Sequence, residues 1–241
     1  MTPGSVRRVG AVAVAVFLGA ACGARTQLAG TVDASVGTGD AAADRGPDGL
    51  DAHDGGAGEV DDIAASFSAA SNPTPTGHFR YGYTLALGGT FKIYSDEVSD
   101  QSLPFWQATT TPNTPPYVAK NDTSSTVVFH TTVTVPPATV WFHPGPSGEY
   151  SVIRWTCPHS GNYALSVAFT ARDTTTTDVH VLRGGAMPPV FSGSVTTSSS
   201  PTYSSTLTLT EGEAIDFAVG YGANGTYFDD STGVAGSLAA L

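Results

Sequence analysis

The sequence predicts an all-β fold, an antiparallel β-sandwich of jelly-roll type, on three observations. Apolar residues alternate with small or polar ones at a period of two, as in Tyr163, Leu165, Val167 and Phe169 and again in Ile215, Phe217, Val219 and Tyr221, which marks strands with one buried face. Turn clusters separate these runs every 8–12 residues or so: His143-Pro-Gly-Pro-Ser-Gly148, Pro158-His-Ser-Gly161, Arg183-Gly-Gly185 and Glu211-Gly212, a spacing typical of two-sheet sandwiches. Glycine (28) and proline (16) abound, threonine is frequent throughout, and no twelve-residue window carries a helical period.

Residues 1–21 read as an export signal. Arg7 and Arg8 precede an apolar run from Val9 to Ala21, shorter than the roughly 20 residues that span a bilayer. The phrase Leu18-Gly19-Ala20-Ala21-Cys22 resembles the bacterial lipobox, with Gly19 where leucine is commonest. That resemblance implies a lipid on Cys22, hence a membrane-anchored lipoprotein at the cell envelope or surface. The other reading is a plain signal cut near Ala21.

Residues 22–71 read as an acidic, disordered tether. The stretch 23–71 holds nine acidic residues against two arginines, a net −7, in an Ala/Gly/Asp-rich composition with almost no aromatics. Such a segment cannot bury enough apolar surface to offset its conformational entropy. The remainder from residue 72 has twelve acids and six bases, so the chain's −11 is concentrated in the tether. Ten basic residues in 241 give no basic stripe, which argues against a nucleic-acid partner.

Residues 72–241 read as one sandwich domain of ordinary size. Its strands fall at Phe79–Leu85, Thr90–Tyr94, Thr126–Val135, Thr139–Phe142, Tyr150–Thr156, Tyr163–Thr170, Thr177–Leu182, Val190–Val195, Tyr203–Leu209 and Ile215–Tyr221. The stretch Ser95–Asn121 reads as a long Pro- and Thr-rich loop carrying Phe105, Trp106 and Tyr117. Trp141 and Trp155 fall within strands and belong to the core, while Asp216, out of phase with Ile215 and Phe217, is expected on the solvent side of its strand.

The phrases Trp155-Thr-Cys-Pro158, Ser160-Gly-Asn-Tyr163, Thr177-Asp-Val-His-Val-Leu182, the run from Glu211 to Gly222, Asn224-Gly225 and Asp230-Ser-Thr-Gly233 together resemble a jelly-roll module of bacterial secreted and surface proteins. That module is similar in build to galactose-binding-like and carbohydrate-binding domains. The resemblance covers about residues 72–241 and implies a surface sandwich with a glycan-binding role. It transfers no catalytic residue.

The residue chemistry points the same way. Cys157 and His159 lie two apart at a strand exit, where a buried, inert cysteine is expected. The chain has no Gly-x-Ser-x-Gly elbow. The carboxylates Asp96, Glu97, Glu149, Asp216, Asp229 and Asp230 have no spacing that shows convergence. His130, His143, His159 and His180 are scattered singly, unlike a zinc site. Asn224, Asp229 and Asp230 could supply oxygen ligands to a structural calcium, or form an Asn-Gly turn with hydrogen-bonding aspartates. A sugar site combines an aromatic platform with a few polar side chains, which nominates Trp106, as an exposed aromatic, with Tyr117, Asn224, Tyr227 and Asp230. The expected function is a non-catalytic, monomeric surface module that binds carbohydrate or another extracellular ligand. The alternatives are an envelope protein-interaction domain and a glycan-acting hydrolase with carboxylates in the loops at one end.

Overall fold

The computed structural model describes residues 58–73 and 77–241. The signal segment 1–21, Cys22 and the tether up to residue 57 lie outside the described residues. The strands, in chain order, are β1 (Val60–Asp62), β2 (Phe79–Thr84), β3 (Lys92–Ile93), β4 (Asp96–Asp100), β5 (Leu103–Gln107), β6 (Tyr117–Lys120), β7 (Val127–Phe129) and β8 (Val133–Val135). They continue as β9 (Val140–His143), β10 (Tyr150–Thr156), β11 (Gly161–Ala171), β12 (Asp178–Arg183), β13 (Phe191–Ser194), β14 (Thr202–Leu209), β15 (Ala214–Gly220) and β16 (Thr232–Ala240).

Pairing is antiparallel throughout. One sheet runs β14-β11-β16-β9-β6-β5-β4, with β1 added to β16; the other runs β13-β12-β15-β10-β2-β3. The fold is therefore the antiparallel sandwich that the alternation predicts. Tyr163, Leu165, Val167 and Phe169 of β11 and Ile215, Phe217 and Val219 of β15 fill the space between the sheets with Trp155 and Val179. Each such large side chain removed from water contributes about 1.5–3 kcal/mol. Among the described residues the helical structure is one 3₁₀ turn, Gly222–Asn224. No helix of the described residues is long and apolar enough to cross a membrane.

The structure corrects the sequence reading in five places. The sandwich begins at Val60 rather than at residue 72: β1 pairs with β16, Ile63 is fully buried, and Asp61 Oδ2 accepts hydrogen bonds from Trp155 Nε1 (2.7 Å) and His78 Nδ1 (2.7 Å). The stretch Ser95–Asn121 contains three strands. All five residues of β5 are buried because both of its faces are covered, the inner by the sandwich core and the outer by the β7–β8 hairpin. That hairpin, expected as one strand over Thr126–Val135, stands outside both sheets and packs Phe129, Val133 and Val135 against Phe105, Tyr117 and Trp141 in a second, smaller core. β16, where no strand is expected, is central to the larger sheet. Asp216, expected at the solvent, is 3% exposed and holds Arg154 in a two-pronged ion pair (2.6 and 2.7 Å), whose guanidinium lies 4.3 Å from the Phe91 ring centroid. The β2–β3 connection thus roofs that part of the smaller sheet.

Candidate functional site

Antiparallel register brings several strand ends to one end of the sandwich. Tyr117 at the start of β6 pairs with His143 at the end of β9, and Thr232 at the start of β16 pairs with both Phe142 and Ala171. The loops beyond these residues enclose a cavity of about 140 Å³ on the outer face of the larger sheet. Tyr117 and His143 line it from the sheet, His130 and Thr132 from the turn of the β7–β8 hairpin, and Asn113, Asp173, Asp229 and Ser231 from the loops.

Each loop is fixed from below. Gln107, fully buried, donates from Nε2 to the carbonyls of Thr109 (2.7 Å) and Thr111 and accepts from the Thr114 N–H (3.3 Å), which holds the turn carrying Asn113. Asn121 Nδ2 ties the hairpin base to the carbonyls of Ser125, Val135 and Pro136 (2.9–3.1 Å). The threonine run before β12 zips onto the segment before β16: Thr175 Oγ1 donates to the Ser231 carbonyl (2.8 Å), the Thr176 N–H to Asp230 Oδ1 (3.0 Å), and the Thr177 and Thr232 hydroxyls bond each other (2.7 Å). Buried backbone acceptors need partners, and short hydroxyl side chains supply them here.

Two features separate this cavity from an ordinary turn cluster. The first is backbone strain. Asn113, His130 and Asp229 all line it with positive φ (52°, 45° and 64°), and Thr131 beside them has φ 75°. Left-handed backbone costs a non-glycine residue about 1–2 kcal/mol, and such outliers gather at sites of function. The second is a buried polar cluster beneath it. Ser231 is 1% exposed and Trp141 fully buried, and both meet the Tyr117 hydroxyl, which burial pushes well above the usual phenol range against these two contacts. Neither Ser231 Oγ nor Trp141 Nε1 has another partner.

The electrostatics are those of a neutral and anionic lining. His143 donates from Nδ1 to the Pro144 carbonyl (2.9 Å), which fixes the tautomer and leaves Nε2 as an acceptor. Burial lowers its imidazole pKa, against the opposing pull of Pro144, Asp173 and Asp229. Asp173 accepts from Thr132 Oγ1 (2.7 Å) and the Thr174 N–H (2.8 Å), and Asp100 holds His130 (2.8 Å). Behind the wall, burial pushes the Asp230 carboxyl up to about 6, against the Thr176 hydrogen bonds; its Oδ2 has no partner.

The residues nominated from sequence divide in two. Tyr117, Tyr227, Asp229 and Asp230 meet at this end. Tyr227 sits 5.9 Å from the His143 ring and stacks on Phe228 at 4.5 Å, and Phe228 is 66% exposed. Tyr117 itself is buried and reaches the cavity with its polar end. Asn224 is exposed, and its Oδ1 accepts from the Thr226 N–H (3.2 Å) of its own turn. Trp106 is not the exposed aromatic expected: it is 5% exposed, faces the sandwich core, and donates Nε1 to the Ser68 carbonyl (2.7 Å). Cys157 is buried and donates to the His159 carbonyl (3.0 Å). Among the described residues no cluster of three or more His, Cys, Asp or Glu is placed to hold a metal ion, and Asn224, nominated for calcium with Asp229 and Asp230, spends its amide oxygen on its own turn. Sequence reasoning missed His143 and Asp173 as lining residues, and Ser231 and Phe228. The signals available were Asp173 before four threonines and the adjacent Tyr227-Phe228 pair in a turn.

A second cavity, about 380 Å³, opens on the outer face of the smaller sheet and is lined by Leu85, Tyr150, Asp178, Tyr221 and Gly222 among others. Asp178 Oδ2 accepts from Tyr150 Oη (2.7 Å) and His180 Nε2 (2.8 Å), and Oδ1 from the Gly222 N–H (2.8 Å); His180 Nδ1 meets Ser192 Oγ (2.8 Å). Burial works to raise the Asp178 carboxyl, but the His180, Tyr150 and Gly222 contacts outweigh it and hold it below the ordinary range. Gly222 is required there: φ is 72°, and a Cβ would run into the Thr176 carbonyl.

No family model matches the chain, and no curated protein matches it. Solved structures similar to it include the CBM51 of Clostridium perfringens GH95 in complex with methyl-galactose, at 10% identity over 61% of this chain and 94% of that one, with a TM-score of 0.34. A family 35 carbohydrate-binding module from Clostridium thermocellum is 12% identical over 61% of this chain and 98% of that one, with a TM-score of 0.29. The module CBM36 in complex with calcium and xylotriose is 13% identical over 50% of this chain and 96% of that one, with a TM-score of 0.28.

Proposed function

We propose that the protein is a non-catalytic binding module whose cavity beside Tyr117 takes the edge of one sugar ring. The observation that carries this reading is the open cavity lined by Tyr117, His143, Asp173 and Ser231, with the stacked Tyr227–Phe228 pair beside His143 and Phe228 exposed. A sugar edge offers donors and acceptors together, and its CH face suits the exposed Phe228 and Tyr227 at the rim. A water claims about 30 Å³ of liquid volume, so 140 Å³ matches a handful of waters or one ring edge. Ser192, His180 and Asp178 have the connectivity of an acyl-transfer triad, but neither Ser192 nor His180 lines either cavity, and the reading as a binding module rests on the cavity beside Tyr117. Retention of the purified protein on immobilised glycans tests the reading, with a loss of about tenfold or more expected for Phe228→Ala, roughly 1.4 kcal/mol. No retention of the wild type across a broad panel would instead support an envelope protein-interaction domain.

The export signal and the Leu18–Cys22 phrase support a lipid anchor on Cys22 at the bacterial envelope, with the acidic residues up to 57 as a spacer. Mass spectrometry of the mature N-terminus is expected to find acylated Cys22; an unmodified residue other than Cys22 there would sink the anchor.

A further inference from the structure

We infer that β14 is a docking edge for a second copy of this chain, which adds to it antiparallel and continues the larger sheet across a two-fold axis. β14 ends that sheet, and the register shows which of its backbone groups are free. The Phe169 N–H donates to the Pro201 carbonyl (3.0 Å), whereas on the other side of β11 the Asn162 carbonyl accepts from the Leu241 N–H (2.9 Å). The odd-numbered residues of β14 therefore bond β11, and the N–H and C=O groups of Thr202, Ser204, Thr206 and Thr208 point outward. Arg183 Nη2 donates to the outward Thr208 carbonyl (2.7 Å) and closes that end. Among the described residues the rest of the edge is open, the Thr206 carbonyl meeting only the Ser205 hydroxyl at 3.4 Å. Sheet edges are normally guarded by charge, proline or shortness, and the other edges here are. β4 carries three acids, β3 is two residues with Lys92, β1 holds Asp61 and Asp62, and β13 has four residues. β14 has eight residues and no charge. Two copies of a chain of net charge −11 repel one another, and this is the long edge along which no like charges would face each other. A two-fold axis at Ser204 sets that residue against its own counterpart, Thr202 against the second copy's Thr206 and Leu207 against its Pro201. Such a pairing stops short of the Arg183 cap and makes about six backbone hydrogen bonds. It also covers Tyr203 and Leu207, which pack on the core yet are only partly buried at this edge. The cavity beside Tyr117 lies four strands away in the same sheet and stays open.

One edge strand buries less than the roughly 1,200 Å² at the low end of stable interfaces. The dimer is therefore weak, with a dissociation constant expected on the order of 10–100 µM. The experiment is sedimentation equilibrium of the full chain over a concentration series that brackets this range, under reducing conditions so that cysteine pairing plays no part. Ser204→Lys sets two ammonium groups opposite each other at the two-fold and is expected to weaken association by about tenfold or more. The position is exposed on the outer face, so folding is not at stake. Ser204→Glu is expected to do the same, and an equimolar mixture of the two variants to recover the association as a heterodimer. A wild-type chain that stays monomeric through the series would overturn the inference. So would a dimer that Ser204→Lys leaves intact, since the contact would then lie elsewhere on the surface. Two monomeric variants whose mixture stays monomeric would overturn the two-fold at Ser204.

Discussion

Two polar clusters flank the same end of the sandwich, one on each outer face, and their hydrogen bonding is completed to different degrees. Around Asp178 the donors and acceptors close on one another: two side chains and a backbone N–H meet one carboxylate, and His180 passes the chain on to Ser192. Around Tyr117 the loops are as firmly tied from below, but Ser231 Oγ and Trp141 Nε1 meet nothing besides the Tyr117 hydroxyl, and the buried Asp230 Oδ2 and Arg172 Nε are left unpaired. The same contrast holds among the tryptophans, since Trp106 and Trp155 both place Nε1 on an oxygen at 2.7 Å and Trp141 has only a looser contact with the Tyr117 hydroxyl. A satisfied network fixes a fold; unsatisfied buried groups at an open cavity cost stability that only a ligand or ordered water returns. The larger cavity is therefore read as architecture and the smaller as the site.

The largest test of this contrast is Asp178→Ala. Removal of the carboxylate leaves Tyr150 Oη, His180 Nε2 and the Gly222 N–H without their acceptor at once, in a partly buried setting. A loss of about 2–4 kcal/mol in chemical denaturation is expected. A variant as stable as the wild type would mean that this network is not what holds the β12–β15 end together, and the contrast would fail on its structural side.

Next in size is the pH dependence carried by Asp230. Its carboxyl stands at about 6 in the folded chain against 3.8 unfolded. Between these values the unfolded state ionises while the folded state stays protonated, so stability falls as pH rises from about 3.8 to 6 and is flat for this group on either side. The full difference is about 2–3 kcal/mol. Glu213, held down to about 2 chiefly by its hydrogen bond with Arg183, acts with the opposite sign at lower pH, where stability is lost as pH falls from 4.5 towards 2. Asp230→Asn isolates the first effect because the amide oxygen can still accept from Thr176. The variant is expected to be the more stable at pH 7 by about 2 kcal/mol and to match the wild type near pH 3.5; parallel pH profiles would show that burial of this carboxyl costs nothing.

Much of the sandwich is legible in the sequence because alternation survives wherever a strand has one wet face, as in β11 and β14. It fails where that condition fails. β5 is covered on both sides and carries Pro104, so it reads as neither strand nor alternation. β16 is mostly Gly, Ala and Ser, and its two large apolar residues, Val234 and Leu238, both in the core, stand four apart with only Gly236 between them on that face, so no hydrophobic alternation shows. β1 hides in an acid-rich segment, although its Asp61 binds the indole of Trp155, 94 residues on. The site divides along the same line. The loop 224–230 announces itself by turn chemistry, and an aromatic near it is a fair guess. Which aromatic is a matter of facing: Trp106 and Tyr117 lie on neighbouring strands, yet one turns to the core and the other outward, and only the register Trp106↔Val118 places them on opposite faces. Ser231 carries no signal in sequence at all, because what marks it is its burial against the Tyr117 hydroxyl, over a hundred residues away.

Ser231→Ala is accordingly the smallest change in stability and the sharpest in meaning. The hydroxyl is buried and has no partner besides the Tyr117 hydroxyl, so its removal deletes a desolvated polar atom and opens little space. The folded chain is expected to keep its stability within about 0.5 kcal/mol or gain up to about 1 kcal/mol, while glycan retention drops by about tenfold, the worth of one good hydrogen bond in a desolvated site. A structural serine gives the reverse pattern, with stability lost and no separate effect on binding. Measured side by side with Asp178→Ala, the two variants pull stability and binding apart: one cluster should govern folding and the other recognition. If Ser231→Ala destabilises the chain as Asp178→Ala does, the two faces are the same kind of structure, and the cavity beside Tyr117 loses its claim to be the site.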